Sequence, residues 1–266
     1  MPVDLQLRGK AALVTGSTAG IGLAIATSLA SEGASVIVNG RTEQRIAGAI
    51  ARIHKQSPQA KVTGAAADLG TAAGAEAIIR RVPEVDILVN NVGIYAIKPF
   101  EQITDAEWLQ IIDTNVLSGV RLSRHYLPLM RKKDWGRIVF ISSESGLNIP
   151  AEMIHYGVTK TAQIALARGL AETTANTGIT VNSVLPGPTE SEGVGNFVES
   201  LARSRGIDRA QVEKEFFQKM RPSSLLQRFA TPEEVAALVT FVCSPLSSAT
   251  NGAALRADGG MVRSIS

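Results

Sequence analysis

Short apolar, β-branched runs recur along the chain at 10–15, 35–39, 61–67, 86–90, 137–142, 180–185 and 253–257, separated by longer stretches whose apolar positions follow a helical period. These runs predict seven strands. Their near-continuous apolar character marks strands covered on both faces, and the intervening segments are long enough for crossover helices, so the sheet is expected to be mainly parallel. The expected class is a doubly wound α/β fold with helices on both faces of the sheet. Such folds bind ligands outside the carboxyl ends of the strands, near the point where strand order reverses. The predicted strand ends read Thr15-Gly16, Asn39-Gly40-Arg41, Asp68-Leu69, Asn90-Asn91-Val92-Gly93, Ser142-Ser143 and Pro186-Gly187, and nearly every one is polar or carries glycine. Between the runs, 105–133 reads as one long helix and another starts at Ala151.

A chain of 266 residues that is 45% hydrophobic and 19% charged can bury one large core, so residues 1–266 are read as one domain. Its α/β rhythm breaks at 190–229, a segment with Gly193, Gly195, Pro222 and a mixed-charge helical stretch at 208–220. An insertion that long in a compact domain is usually a lid or binding segment. Within it Arg203, Arg205, Arg209, Lys214, Lys219 and Arg221 alternate with Glu199, Asp208, Glu213 and Glu215, a balance that faces water. The first residues lack a signal-peptide core and no window reaches about 18 uninterrupted apolar residues, so a soluble, cytoplasmic protein with no membrane partner is expected. The formal charge of +3 is mild and interspersed, which argues against nucleic acid binding. The lone Cys243 sits in an apolar run and reads as packing. No metal site is expected.

Two local patterns carry chemistry. Gly16, Gly20 and Gly22 lie where a predicted strand turns into an amphipathic helix. Glycine there permits unusual dihedrals and close backbone approach, while the free amides at the helix start offer hydrogen bonds and a positive dipole end to an anion. The spacing differs from Gly-x-Gly-x-x-Gly, so a tight structural turn is the competing reading. Second, Tyr156 and Lys160 stand four apart, on one face of a helix, with Ser143 thirteen residues upstream of the tyrosine. A phenol of ordinary pKa about 10 is a poor acid or base at neutral pH unless a nearby positive charge favours its phenolate, and Lys160 is placed to supply one.

Thr15-Gly16-Ser17-Thr18-Ala19-Gly20-Ile21-Gly22, Asn90-Asn91-Val92-Gly93, Asn115, Ser143, Tyr156-x-x-x-Lys160 and Pro186-Gly187-Pro188-Thr189 resemble, in order and spacing, the short-chain dehydrogenase/reductase family. The likeness runs over 10–260 and implies a Rossmann-like sheet, nicotinamide-dependent interconversion of a carbonyl and an alcohol, and usually a homotetramer, with a homodimer as the alternative. It assigns Tyr156 as the acid/base toward the substrate oxygen, Lys160 as the group that lowers the tyrosine pKa and bonds the nicotinamide ribose, and Ser143 as the group that orients the carbonyl. Ser142 and Ser145 are the competing hydroxyls. Asn115 resembles the asparagine that holds a water linking Lys160 to solvent. Asp68 and Leu69 resemble the pair that contacts adenine, Asn90 and Asn91 would line the ribose, and Gly93, Pro186, Gly187 and Thr189 complete the cofactor set with Ser17, Thr18 and Ile21 in the glycine loop.

Cofactor choice follows from charge at the end of the second strand, where an acid would repel a 2′-phosphate. The chain has Asn39-Gly40-Arg41 there, and Arg41 can make charge-assisted contacts to that phosphate, so NADP(H) is expected ahead of NAD(H). No second basic residue stands in the glycine loop, and a solvated Arg41 is the alternative. Substrate walls are expected from 94–98, 144–153 and 190–229, which mix Glu144, Glu152 and Lys98 with Ile149, Met153 and Phe197; His155 is at best a pocket wall. The reading is an NADP(H)-dependent oxidoreductase acting on a small carbonyl or alcohol. A 3-oxoacyl-thioester reductase and a non-catalytic dinucleotide sensor are the alternatives, and Asp134-Trp135 and Asn176-Thr177, where an acyl carrier protein would want basic residues, weigh against the first.

Overall fold

A computed structural model describes residues 3–265; the side chains of residues 192, 193, 196, 197, 200 and 201 lie outside the described residues. Seven strands, β1 (Ala11–Val14), β2 (Ser35–Gly40), β3 (Val62–Ala66), β4 (Ile87–Asn90), β5 (Gly136–Ile141), β6 (Ile179–Pro186) and β7 (Ala254–Ala257), form one sheet in the order β3-β2-β1-β4-β5-β6-β7. Every pairing is parallel. Strand order reverses between β1 and β4, with Leu13 registered against Ile37 on one side and Leu88 on the other. The doubly wound, Rossmann-like arrangement expected from the hydrophobic pattern is therefore present.

Side-chain alternation explains why the strands read as continuous apolar runs. Ala12, Val14, Ile87, Val89, Val139 and Ile141 enter one core, which packs against α1 (Gly20–Ser31), α2 (Glu43–Gln56) and α9 (Pro232–Val242). The intervening residues Leu13, Leu88, Ile138 and Phe140 enter the other, against α3 (Ala72–Arg81), α5 (Ser118–Lys133) and α6 (Ile154–Glu172). A two-residue period with both faces buried leaves no polar position to read. Cys243 caps α9 inside the first core, where burial pushes its thiol up to about 12, so it packs as expected.

Two departures from the sequence pattern matter. The helix expected over 105–133 is α4 (Asp105–Ile112) and α5 joined by a π turn at Asp113–Leu117. Asn115 lies in that turn, buried, with its side-chain oxygen accepting from the Ile94 amide at 2.8 Å and its amide donating to the Ile94 carbonyl at 2.9 Å and to Thr159 Oγ1 at 3.0 Å. An extra residue in the helical ladder turns that side chain toward β4's exit; π turns recur at functional positions. The helix expected from Ala151 begins with a single 3₁₀ turn, and α6 proper starts at Ile154.

The 190–229 segment contains α7 (Glu192–Arg205), α8 (Arg209–Glu215) and a second π turn at Phe216–Met220. It has its own small core of Val198, Ala202, Val212, Phe217 and Phe229. No helix among the described residues is long and apolar enough to cross a membrane.

The glycine turn shows how closely the sheet and α1 approach. A Cβ on Gly22 would lie 2.4 Å from Asn91 Nδ2 and 2.5 Å from the Gly16 carbonyl, the same two atoms that hydrogen-bond each other at 3.1 Å. Gly22→Ala is expected to lose about 1–3 kcal/mol in urea denaturation, the cost of overpacking a site with no room to relax; an unchanged midpoint would show that the turn opens freely.

Candidate active site

The carboxyl edge of the sheet carries two adjoining depressions. The first, a cleft of about 530 Å³, lies over the switch point and is lined by residues from the ends of β1, β2, β3 and β4. Gly16, at φ +60°, donates its amide to Asn39 Oδ1 at 3.1 Å, and α1 begins at Gly20, itself at φ +54°, with no side chain capping its first turn. The unpaired amides of that turn are a ready anion site.

The expected cofactor residues divide by where they sit. Gly16, Thr18, Arg41, Asp68, Leu69, Asn91 and Gly93 all border the cleft. Leu69 is buried in the core, so only its backbone is available there, and Asp68 Oδ1 accepts from the Gly70 amide at 3.0 Å. Ser17 is fully buried and knits the turn to β2: its amide donates to Asn39 O, its hydroxyl donates to Val14 O and accepts from the Asn39 amide. Ile21 packs against the first core. Asn91 Nδ2 donates to the Thr15 and Gly16 carbonyls, which fixes the turn. Asn90 does not join it at the cleft; it is buried behind β4, donating to Ser123 Oγ at 3.4 Å with its own oxygen unpaired. Of the pair, Asn91 borders the cleft and Asn90 does not. Pro186 ends β6, Gly187 borders the second depression, and Thr189 Oγ1 donates to the Gly187 carbonyl.

Arg41 is exposed at the rim of the cleft, and Arg45, from the first turn of α2, borders the same space. The second cation missing from the glycine loop is thus supplied four residues beyond Arg41. An i, i+4 pair across a strand-to-helix turn could have been read from the sequence.

The second depression, about 220 Å³, holds Ser143, Glu144 and Tyr156 together with Tyr95, Met153 and residues of the 190–229 segment. Ser143 caps the 3₁₀ turn Glu144–Gly146, accepting from the Ser145 amide at 3.1 Å and donating to Glu144 Oε2 at 2.7 Å. Ser142 instead donates to the Lys160 carbonyl at 2.8 Å and stays inside. Tyr95 meets Tyr156 edge to face at 6.1 Å. Burial pushes the Tyr156 phenol well above its ordinary value; hydrogen bonding with Ser143 pulls it back, while Glu144 and Tyr95 push with burial.

Lys160 is buried, with Nζ 5.5 Å from the centre of the Tyr156 ring, donating to the Ile141 carbonyl at 2.8 Å and to Gln163 Oε1 at 3.1 Å. Gln163 Nε2 in turn donates to the Asn115 carbonyl at 2.6 Å. Lys160 is thereby tied to the Asn115 backbone through a buried side chain. Gln163 had no visible role in the sequence because, although Lys160 is one helical turn away, the Asn115 carbonyl that completes the link lies on another element. Burial pulls the Lys160 ammonium down to about 7.

Several expected pocket walls move. His155 packs edge to face on Trp108 at 5.9 Å and lies outside the depression, with burial lowering its pKa. Lys98 pairs with Glu107 at 2.6 Å, and Ile149 lies against Gly157. Phe197's side chain lies outside the described residues. Arg221, expected in water, is instead turned inward: its side chain is 14% exposed, 3.1 Å from Glu152 and 3.6 Å from Glu144.

A dinucleotide cleft beside a tyrosine, serine and lysine defines a nicotinamide-dependent oxidoreductase of carbonyl and alcohol groups. The chain belongs to the short-chain dehydrogenase/reductase family: the family model described as short chain dehydrogenase matches residues 10–201. It is 49% identical over 263 residues to the uncharacterized oxidoreductase YvaG of Bacillus subtilis, covering 99% of this chain and 100% of that one. It is 35% identical to the 3-oxoacyl-[acyl-carrier-protein] reductase FabG of Aquifex aeolicus, covering 97% and 100%. The solved L-sorbose reductase of Gluconobacter frateurii, in complex with NADPH and L-sorbose, is similar at a TM-score of 0.92 and 29% identity, covering 99% of this chain and 100% of that one.

The lysine allows a pH test. An unfolded lysine keeps its proton to about pH 10, whereas the folded one releases it near 7. The unfolded chain therefore binds more protons between those limits, and Lys160's contribution makes stability rise with pH across that window, its penalty being full below it. Lys160→Met removes this slope. In urea denaturation of cofactor-free protein, the mutant's stability relative to the parent is expected to fall steadily from about pH 7 to about pH 10; a constant difference would refute a buried, destabilised ammonium.

Proposed function

We propose that the chain is an NADP(H)-dependent carbonyl reductase or alcohol dehydrogenase in which Tyr156 is the general acid/base. The observation that carries this reading is that Ser143 and Tyr156 line one depression with Lys160 Nζ 5.5 Å from the tyrosine ring and beside Gly93, which borders the cleft that the glycine turn lines. The residues around the cleft fit a dinucleotide: no Cβ fits at Gly22, and the first turn of α1 offers uncapped amides to a pyrophosphate. When bound, the nicotinamide cofactor supplies or accepts the hydride.

In reduction, Ser143 holds and polarises the substrate carbonyl, and Tyr156 delivers its proton to the oxygen; in oxidation the tyrosine removes it. A phenol raised by burial keeps its proton until negative charge develops on that oxygen. Lys160, fixed by Ile141 and Gln163, stands where a ribose hydroxyl and the tyrosine ring can both meet it. Asn115 holds Gln163 and the backbone after β4, and so keeps Lys160 in place.

Arg41 and Arg45 support NADP(H) over NAD(H), because β2 runs out into Gly40 and Arg41 with no acid at its end, and both cations border the cleft, which Asp68 from beyond β3 also lines. The reading takes residues 1–266 as one domain with 190–229 as its lid, in a cytoplasmic enzyme. Exposed Leu109 on α4 and Val158 on α6 support association through those helices as a homotetramer or homodimer. The FabG likeness favours a thioester reductase as the second reading, but Asp134 and Trp135 stand where an acidic carrier would seek positive charge. A dinucleotide sensor would have no use for a buried lysine aimed at a tyrosine.

Tyr156→Phe, assayed for NADPH consumption against a carbonyl panel, is expected to lose about 100-fold or more in kcat with cofactor binding retained. Equal activity would sink the mechanism, and full cofactor binding with no turnover in the parent would favour the sensor. Arg41→Ala is expected to weaken NADP binding by about tenfold or more with little change for NAD, since a charge-assisted hydrogen bond is lost. Titration of both cofactors reads this, and an unchanged preference would leave the selection to Arg45.

A further inference from the structure

The substrate depression contains an ionic group that proton and hydride transfer do not require. Glu144 is 4% exposed, one residue from Ser143, and its Oε2 accepts both the Ser143 and Ser145 hydroxyls. Its Oε1 makes no hydrogen bond within the chain among the described residues; the nearest cation is Arg221 Nε at 3.6 Å. Arg221 is already held by Glu152 at 3.1 Å and by the Met220 carbonyl at 2.8 Å. Arg221 is the one cation bordering the depression among the described residues, so two carboxylates and one guanidinium leave it formally negative.

We propose that Glu144 is the specificity-determining residue of this cavity, selecting neutral carbonyl compounds that carry a hydroxyl beside the carbonyl and turning carboxylates away. The proposal rests on the carbonyl reductase reading above. To polarise a substrate carbonyl, Ser143 must turn its proton from Glu144 Oε2 toward the substrate. That leaves the buried carboxylate with the Ser145 hydroxyl as its one remaining hydrogen-bond donor among the described residues, a costly loss. A hydroxyl on the carbon next to the carbonyl sits within reach of the same carboxylate and replaces the lost donor. A plain ketone leaves the deficit. A site built to bond a substrate hydroxyl discriminates against the analogue lacking it, because its own polar group is then unpaired. A substrate carboxylate meets Glu144 and Glu152 with their only cation engaged, and like charges in such a cavity exclude it.

The test compares acetoin, butanone and acetoacetate as substrates of the intact protein with NADPH, in the parent, Glu144→Gln and Glu152→Gln. The expected result is a kcat/KM for acetoin about tenfold or more above butanone in the parent, collapsing toward equality in Glu144→Gln. Acetoacetate turnover is expected to rise in both variants, and Glu152→Gln, the more exposed position, reads that effect even where Glu144→Gln is unstable. A parent that prefers acetoacetate or treats acetoin and butanone alike overturns the specificity proposal and leaves the reductase reading standing. So does an acetoin preference that survives Glu144→Gln in folded protein. No turnover of any of the three compounds, with NADPH bound, overturns both.

Discussion

A parallel sheet has its carboxyl ends on one edge, and that constraint organises everything functional in this chain. β1, β4, β5 and β6 end in glycine, asparagine, serine and proline, and those ends build both depressions. Most strand residues feed the two cores, and the polar ones among them, such as Asn39, Arg137 and Asn182, are buried. Polar chemistry is displaced to the turns that follow, where the backbone has unpaired groups to offer. The reversal between β1 and β4 separates the turns, and the cleft fills the gap.

Buried charge then sets the terms on which the site operates. Lys160 enters an interior that disfavours its ammonium, and it is tolerated because a strand carbonyl and Gln163 accept from it. Gln163 finds its own partner in the carbonyl of Asn115, a residue of the π turn. The π turn is therefore tied to the lysine by a chain of hydrogen bonds. The distortion in the helix and the position of the lysine are one structural fact.

Most of this edge was legible because the residues are local and chemically marked. Glycines at fixed offsets, an i, i+4 tyrosine and lysine, and a serine at a strand end can be read without knowing what packs against what. Ser143 separates from Ser142 by strand alternation, which sends one hydroxyl to Lys160 O and the other to the cavity. The same rule was available for Asn90 and Asn91, yet a motif read as a unit concealed it. Gln163 was illegible for a different reason: the Asn115 carbonyl that completes its role lies 48 residues away, whereas Arg45, four residues past Arg41, was readable and overlooked. Periodicity assigns an element, and it does not say which other element will face it.

Arg221 is the sharpest case. In sequence it ends a run of alternating acids and bases, and alternation of that kind normally describes a solvated helix face. The helix stops short of it, a π turn of Phe216–Met220 intervenes, and Arg221 emerges on the side of the body rather than the solvent. What draws it inward is the pair of carboxylates on the 144–153 segment, which would otherwise face each other across an apolar cavity. The guanidinium offsets one charge and leaves one, so docking the inserted segment also fixes the electrostatic sign of the space beneath it. The contacts that tie Arg221 to the body and the charges that line the cavity are then the same few side chains. That coupling is why the reaction class was readable from one strand end and one helix, whereas selectivity required the fold.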